Sequence, residues 1–283
     1  MKILITGAYG LVGSNLCKEL EKDKDIEITK IKCDDFSQLN YFFKYDYIIH
    51  CAGYGQPLKF VKDKIKTIEI NTQSTIWLLE HLNPDGKFLF VSTSEVYSGA
   101  HSPYMITDIG NTTPQHSRAC YIEGKRCGEA ICMAYREQGY DVKIARLALA
   151  YGEGTKKHDT RVLNQFIEQA LTKGEIKLLD RGEALRTYCY VQDVAEMMLD
   201  ILFKGTQPVY NVGGISRVTV RELAEKIGEI TGAKITLGEK GLKGAPEDVR
   251  LDLALTLTEF PRSFVSLDDG LKRTIDFQKK LYA

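Results

Sequence analysis

The apolar positions of this chain fall into short unbroken blocks alternating with stretches of helical period, and that alternation sets the expected order of elements. Residues 2–6 form a strand-length apolar run that stops at Gly7. Residues 11–21 then repeat at helical spacing, with Leu16 and Leu20 on one face. Residues 27–33 and 45–50 predict two more strands, and His50 and Trp77 are read as packed core. One long helix is expected over 59–82, a strand over 87–92, and a turn-rich loop over 98–117 containing Pro103 and Pro114. A helix through 119–137 and a buried strand over 141–147 follow. Strands alternating with helices of this length imply an α/β fold with a parallel sheet wrapped on both faces.

Beyond residue 150 the pattern loosens and then rebuilds. Residues 161–172 predict an amphipathic helix with Val162, Phe166 and Ala170 along one face, and a helix from 192 carries Ala195, Met198, Leu199 and Leu202. Thr219 and Glu222 have capping-box spacing, and Gly232 closes the helix they open. Ser266 caps a last helix over 267–280.

The totals narrow the function classes. The 283 residues, 43% hydrophobic and 27% charged, suit a soluble protein of two lobes or one large domain. Lys plus Arg and Asp plus Glu both number 38, so no net field favours nucleic acid or an anionic membrane. An anionic ligand must be held by local arginines and backbone amides. Seven cysteines without a Cys-x-x-Cys pair are expected as reduced thiols, with no metal site. The opening apolar run is too short for a signal-peptide core and no later stretch approaches a membrane span, so a cytoplasmic location is expected.

Candidate chemistry begins at Gly7-Ala-Tyr9-Gly10-Leu11-Val-Gly13, directly after the first strand. Glycines on this spacing allow a tight turn and close backbone approach to a pyrophosphate, and the next helix offers its N-terminal amides. The helix and strand expected after residues 27–33 are missing, and the chain runs straight into Asp34. Asp34 either contacts an adenosine ribose or adenine, or caps the next helix. Lys30 and Lys32 can instead meet a 2′-phosphate, which leaves NAD and NADP both open. Strand 45–50 ends in the small turn Ala52-Gly53, and Asn71 lies on the helix beyond.

The strand over 87–92 ends at Ser92 and delivers Thr93, Ser94 and Glu95, where ligands bind in doubly wound sheets. Either hydroxyl can bond a sugar or Tyr121, and Glu95 can act as a second acid or base. Tyr121 and Lys125 stand one helical turn apart. The lysine ammonium is expected to stabilise the phenolate, giving a base for a sugar hydroxyl whose carbon loses hydride.

TGAYGLVG, HCAG, VSTSEVY, RACYIEGKR, ARLALAYG and RTYCYVQDVAE occur here in one order. The chain resembles, over nearly its whole length, the extended short-chain dehydrogenases/reductases that modify nucleotide-diphosphate sugars. TSEVY, RACYIEGKR, KIARLALAYG and TRVLNQFIEQAL are most similar to UDP-glucuronate decarboxylases, with 4,6-dehydratases and 4-epimerases next. The resemblance implies a Rossmann-type doubly wound domain over 1–150 and a smaller nucleotide-sugar lobe over 151–283, some of whose segments return to the first domain. It implies bound NAD, with NADP the alternative, oxidising carbon 4 of the sugar.

Tyr121 would be the base, Lys125 its ribose-binding partner, and Thr93, Ser94 and Glu95 the substrate-side set. Gly7, Tyr9, Gly10, Leu11, Gly13, Asp34, Ala52, Gly53, Asn71 and Ser92 would line the cofactor. Tyr54, Arg161, Arg186 and Arg250 would meet the substrate, with Arg186 and Arg250 at its phosphates. A homodimer through 59–82 and 119–137 is expected, as in the proteins it resembles. The implied outcome is decarboxylation of a UDP-uronic acid, since a 4-keto group sits β to the carboxylate and stabilises the enolate left behind. Alternatives are 4-epimerisation, 4,6-dehydration, NADPH-dependent reduction of a 4-keto sugar, or a non-catalytic NAD(P)-binding sensor on the same fold. Two departures bear on the sugar: Gly53-Tyr-Gly-Gln-Pro57 replaces a serine- and proline-rich loop, and Leu149 stands where many members carry Asn.

Overall fold

The computed structural model describes residues 1–32, 43–239 and 247–283. In β1 (Lys2–Thr6), side chains alternate between two cores: Ile3 and Ile5 pack into one and Leu4 into the other, all fully buried. The chain continues through α1 (Leu11–Leu20), β2 (Glu27–Ile31), β3 (Tyr45–His50), α2 (Pro57–Lys62), α3 (Lys64–Asn71) and α4 (Gln73–Glu80). Then come β4 (Leu82–Thr93), a 3-10 turn at Ser94–Tyr97, α5 (Ala119–Glu137) and β5 (Asp141–Leu147). The second half holds β6 (Ala150–Tyr151), α6 (Val162–Lys173), β7 (Glu175–Lys177), β8 (Leu185–Tyr190), α7 (Val191–Lys204) and β9 (Val209–Val212). It ends with β10 (Ser216–Thr219), α8 (Val220–Thr231), β11 (Lys234–Thr236), β12 (Asp248–Val249), α9 (Ala254–Glu259) and α10 (Leu267–Tyr282).

Six parallel strands in the order β2-β1-β3-β4-β5-β9 make a Rossmann-type central sheet. Leu16 and Leu20 of α1 and Val194, Met198 and Ile201 of α7 cover one face. Leu78 and Leu79 of α4 and Cys132 of α5 cover the other. A second sheet, β10-β8-β12 with β6 also on β8, accompanies a separate core from α6, α8 and α10 around Phe166, Ile167, Leu223, Ile227 and Leu271. The capping box at Thr219 and Glu222, the left-handed Gly232 and the Ser266 cap all form as the sequence predicts. Among the described residues no helix is long and apolar enough to cross a membrane.

Four expectations need correcting. The single helix over 59–82 is three helices, interrupted at Asp63 (φ −122°, ψ 69°) and Thr72 (φ −119°, ψ −74°). The cause lies in side chains that compete for the backbone: Thr67, Thr72 and Thr75 each donate to the carbonyl four residues back. Trp77 is half-buried at the core's rim, stacked on His81 at 3.8 Å. Val162 is exposed, because α6 begins there and turns Leu163, Phe166, Ile167 and Ala170 inward. β2 ends at Ile31, and among the described residues it is the edge of the sheet, on the side where the sequence lacks a helix and strand.

Candidate active site

β1 and α1 meet at a turn that only glycine can make. Gly7 has φ +68°, and a Cβ there would lie 2.8 Å from the Cys51 carbonyl carbon. A Cβ on Gly13 would lie 2.3 Å from the Gly7 oxygen, so helix and turn touch backbone to backbone. The first turn of α1 has no side-chain cap and no acidic residue, which leaves its amides to an anion. Tyr9 is exposed, Leu11 half-buried and Ala52 fully buried. Beneath Gly53, Asn71 Oδ1 is a buried acceptor with no partner, and Lys125 Nζ lies on the same side of the turn. A tight glycine turn, open helix amides and an orphaned acceptor beside a lysine fit NAD. Asp34 lies outside the described residues. Lys30 is ion-paired with Glu21, which takes up one of the two lysines considered for a 2′-phosphate.

Above that turn, β4 ends at Thr93 and α5 presents Tyr121, the latter only 8% exposed. Thr93 Oγ1 accepts the amide of Glu95 at 3.2 Å, so its own hydrogen is free to bond the Tyr121 phenol. Half-buried Ser94 follows. Glu95 forms an ion pair with Arg118, and its Oε2 is buried without a partner. Burial raises the Glu95 carboxyl and Arg118 opposes that shift.

Tyr121 is buried among charged neighbours. Burial pushes its phenol up to about 12 and Glu95 adds to this, while the Thr93 bond, Arg118 and Arg161 work the other way. Arg118 and Arg161 thus oppose the rise that burial and Glu95 cause. Lys125, one turn away and 4% exposed, donates to Val91 O at 2.7 Å and lies 4.7 Å from the Phe90 centroid. Phe60 of α2 stacks on Tyr121 with centroids 4.5 Å apart and planes 3° apart, a contact no sequence pattern announced.

The arginines come from several elements. Arg161, at the N-cap of α6, is held in two-pronged fashion by Asp159, which is 3% exposed. Burial tends to raise the Asp159 carboxyl, but its bonds and charge pairing with Arg161 bring it below its ordinary value. Arg186 lies within β8, and Val249 of β12 pairs with it. Arg250 directly follows β12, with its Nε buried and unpartnered. Tyr54, 7% exposed, has Lys59 Nζ 5.0 Å over its ring.

A buried network holds the segment between β4 and α5. Arg146 donates to Tyr97 Oη (2.8 Å) and Ile106 O (2.9 Å), and is two-pronged on Glu129. Tyr97 passes a hydrogen bond to Asn211 Oδ1 at 2.7 Å, and Arg126 Nη2 holds Val96 O at 2.6 Å. Ser92 donates to Glu129, on the α5 side of β4. Sequence reasoning missed Arg118, Asp159 and this network; only the helix-start position of Arg118 in RACY offered a signal.

A family model described as the NAD dependent epimerase/dehydratase family matches residues 3–213. UDP-glucuronic acid decarboxylase 6 of Arabidopsis thaliana is 30% identical over 277 residues, covering 88% of this chain and 79% of that protein. UDP-glucuronic acid decarboxylase 1 of Xenopus tropicalis is 28% identical over 308 residues, covering 99% and 72%. The crystal structure of a UDP-glucose 4-epimerase from Thermotoga maritima with UDP-glucose matches with a TM-score of 0.84 over 100% of both chains, at 25% identity. With the family's match spanning most of the sequence, the chain belongs to the NAD dependent epimerase/dehydratase family.

Proposed function

We propose that this enzyme oxidises carbon 4 of a UDP-uronic acid and releases its carboxyl group as carbon dioxide, leaving a UDP-pentose. The observation that carries this reading is the buried Tyr121 phenol, set with Thr93 and Glu95 from the end of β4 and one turn from Lys125 on α5. Tyr121 takes the proton of the 4-hydroxyl, and Thr93 holds that oxygen in line. Bound NAD supplies a hydride acceptor at carbon 4 and later a hydride donor. Lys125 steadies the cofactor's ribose, and the amides of α1 hold its pyrophosphate. Arg161, Arg186 and Arg250 grip the diphosphate, and Glu95 and Ser94 face the sugar. The resulting 4-keto group lies β to the carboxylate, so the electrons released with carbon dioxide delocalise onto its oxygen. A proton from solvent takes the place of the carboxyl group at carbon 5, and Tyr121 returns its own proton to the carbon-4 oxygen as hydride comes back to carbon 4.

Residues 1–150 serve the dinucleotide and 151–283 mainly the nucleotide sugar, with β9 returning to the first sheet. The Lys30–Glu21 pair supports NAD over NADP. Leu58, Val61, Ile65, Ile68 and Ile76 are exposed apolar side chains on α2–α4, which supports a homodimer through these helices. The six described cysteines are all free, in keeping with a reducing, cytoplasmic setting.

Incubation of the purified enzyme with UDP-glucuronic acid, followed by mass spectrometry, tests the reaction. Wild type is expected to give a UDP-pentose without consuming added cofactor. Tyr121→Phe is expected to retain NAD and lose on the order of a thousandfold in kcat. Full activity in that variant removes the assignment. Epimerisation is the second candidate, supported by the 4-epimerase match, and a product that keeps its carboxylate with carbon 4 inverted selects it. Stoichiometric oxidation of NADPH with a 4-keto sugar selects a reductase.

A further inference from the structure

Arg118 occupies the N-cap of α5, three residues before Tyr121. Its guanidinium is ion-paired with Glu95 and also lies 5.2 Å from the centroid of Phe60. Phe60 in turn stacks flat on Tyr121. Phe60 is fully buried, and its carbonyl accepts from Thr67 at 3.3 Å and from Cys120 at 3.4 Å, which fixes the backbone that carries the ring. One guanidinium therefore touches, directly or through a single ring, both groups that would handle protons in the reaction.

We propose that Arg118 is a positioning residue that couples the two: it fixes the Glu95 carboxylate beside Tyr121 and, through Phe60, sets the plane of the tyrosine ring. This inference rests on the reading of Tyr121 as the base. A bare carboxylate next to a buried phenol opposes the phenol's ionisation, and a guanidinium paired with that carboxylate offsets part of the opposition. The planar fork is what the place requires, since it matches a carboxylate and packs flat on an aromatic ring, whereas an ammonium does neither. The groups facing Tyr121 are Thr93 and Glu95 from the end of β4, Arg118 from its own helix and Arg161 from α6. Lys125 stands one turn below. Arg161 is already committed to Asp159, which leaves Arg118 as the cation tied to Glu95.

Initial rates with UDP-glucuronic acid across pH, on the NAD-loaded enzyme, separate the outcomes for wild type, Arg118→Met and Arg118→Lys. Arg118→Met is expected to lower kcat about 100-fold. Its rising limb in pH is expected to move up by about one unit, as for loss of a neighbouring opposite charge. KM should change less than about threefold, because a positioning residue does not grip the substrate. Arg118→Lys, which keeps the charge and the fold, should restore the limb but leave kcat about tenfold low. A tenfold rise in KM at unchanged kcat would make Arg118 a substrate ligand instead and overturn the proposal. So would a lysine variant indistinguishable from wild type. Tyr121→Phe, run alongside, keeps the two ideas apart. Activity in Tyr121→Phe removes the base itself, whereas normal Arg118 variants beside an inactive Tyr121→Phe remove only the coupling.

Discussion

Mild acid should destabilise this protein through one imidazole, His50, and the structure sets the size of the effect. His50 Nε2 lies 3.1 Å from Ile70 O, a carbonyl that can only accept, so Nε2 carries the hydrogen. Nδ1 must then accept from Thr6 Oγ1 at 2.7 Å, and Thr6 Oγ1 itself accepts the Ala52 amide at 3.2 Å. A second proton on the ring has nowhere to go without breaking this chain. Burial drives the His50 pKa from 6.5 down to about 3, and the nearby Lys125 charge adds to the shift.

The unfolded chain therefore binds the extra proton between about pH 6.5 and 3 while the folded chain does not. Stability is complete above about pH 6.5 and falls as pH drops through that window, by about 1.4 kcal/mol per unit. At about pH 5 the loss attributable to His50 is about 2 kcal/mol. Urea unfolding of wild type and His50→Gln at about pH 7.5, 6 and 5 reads it out. The variant should start about 1–3 kcal/mol less stable, having lost buried hydrogen bonds. Because glutamine does not titrate, the gap to wild type should close by about 2 kcal/mol at the lowest pH. Parallel stability curves for the two proteins would refute the reasoning.

Gly13→Ala should lower stability by about 1–3 kcal/mol and weaken NAD binding at least tenfold, because its Cβ would sit 2.3 Å from the Gly7 oxygen. Thermal melts and cofactor titration check this, and wild-type binding in the variant would exclude a backbone-contact role for the turn. Ile65→Lys, at a side chain 70% exposed, should convert the proposed dimer to a monomer of unchanged circular dichroism in light scattering. An unchanged mass would show that this face is not the interface.

The parts of the fold legible in the sequence were those with short-range causes. β1, the glycine turn and α1 could be read because apolar period and glycine spacing are local, and β5 forms over the expected 141–147. The break of 59–82 into three helices was hidden because apolar period ignores threonines bonding to the turn behind them. Tyr121 and Lys125 were legible as a helical pair and Thr93 and Glu95 as strand-end groups, but the action of Arg118 and Arg161 on the phenol was not. Glu95, Arg118 and Arg161 converge on Tyr121 only once β4, α5 and α6 are folded together. Arg186 likewise comes beside Val249, next to Arg250 in sequence, through the pairing of β8 with β12, which no local pattern announces.

The hold of Arg126 and Arg146 on Val96 O and Ile106 O reaches beyond shape. The connection from β4 to α5 is long and rich in turns, and a chain of that kind would ordinarily have to surrender its wandering each time a sugar arrived. Here that surrender is made once, when the molecule folds, because both anchoring guanidiniums belong to the sheet and helix rather than to the connection itself. A ligand entering past Thr93 and Glu95 therefore meets a wall already set, and its binding energy remains available for the chemistry at carbon 4.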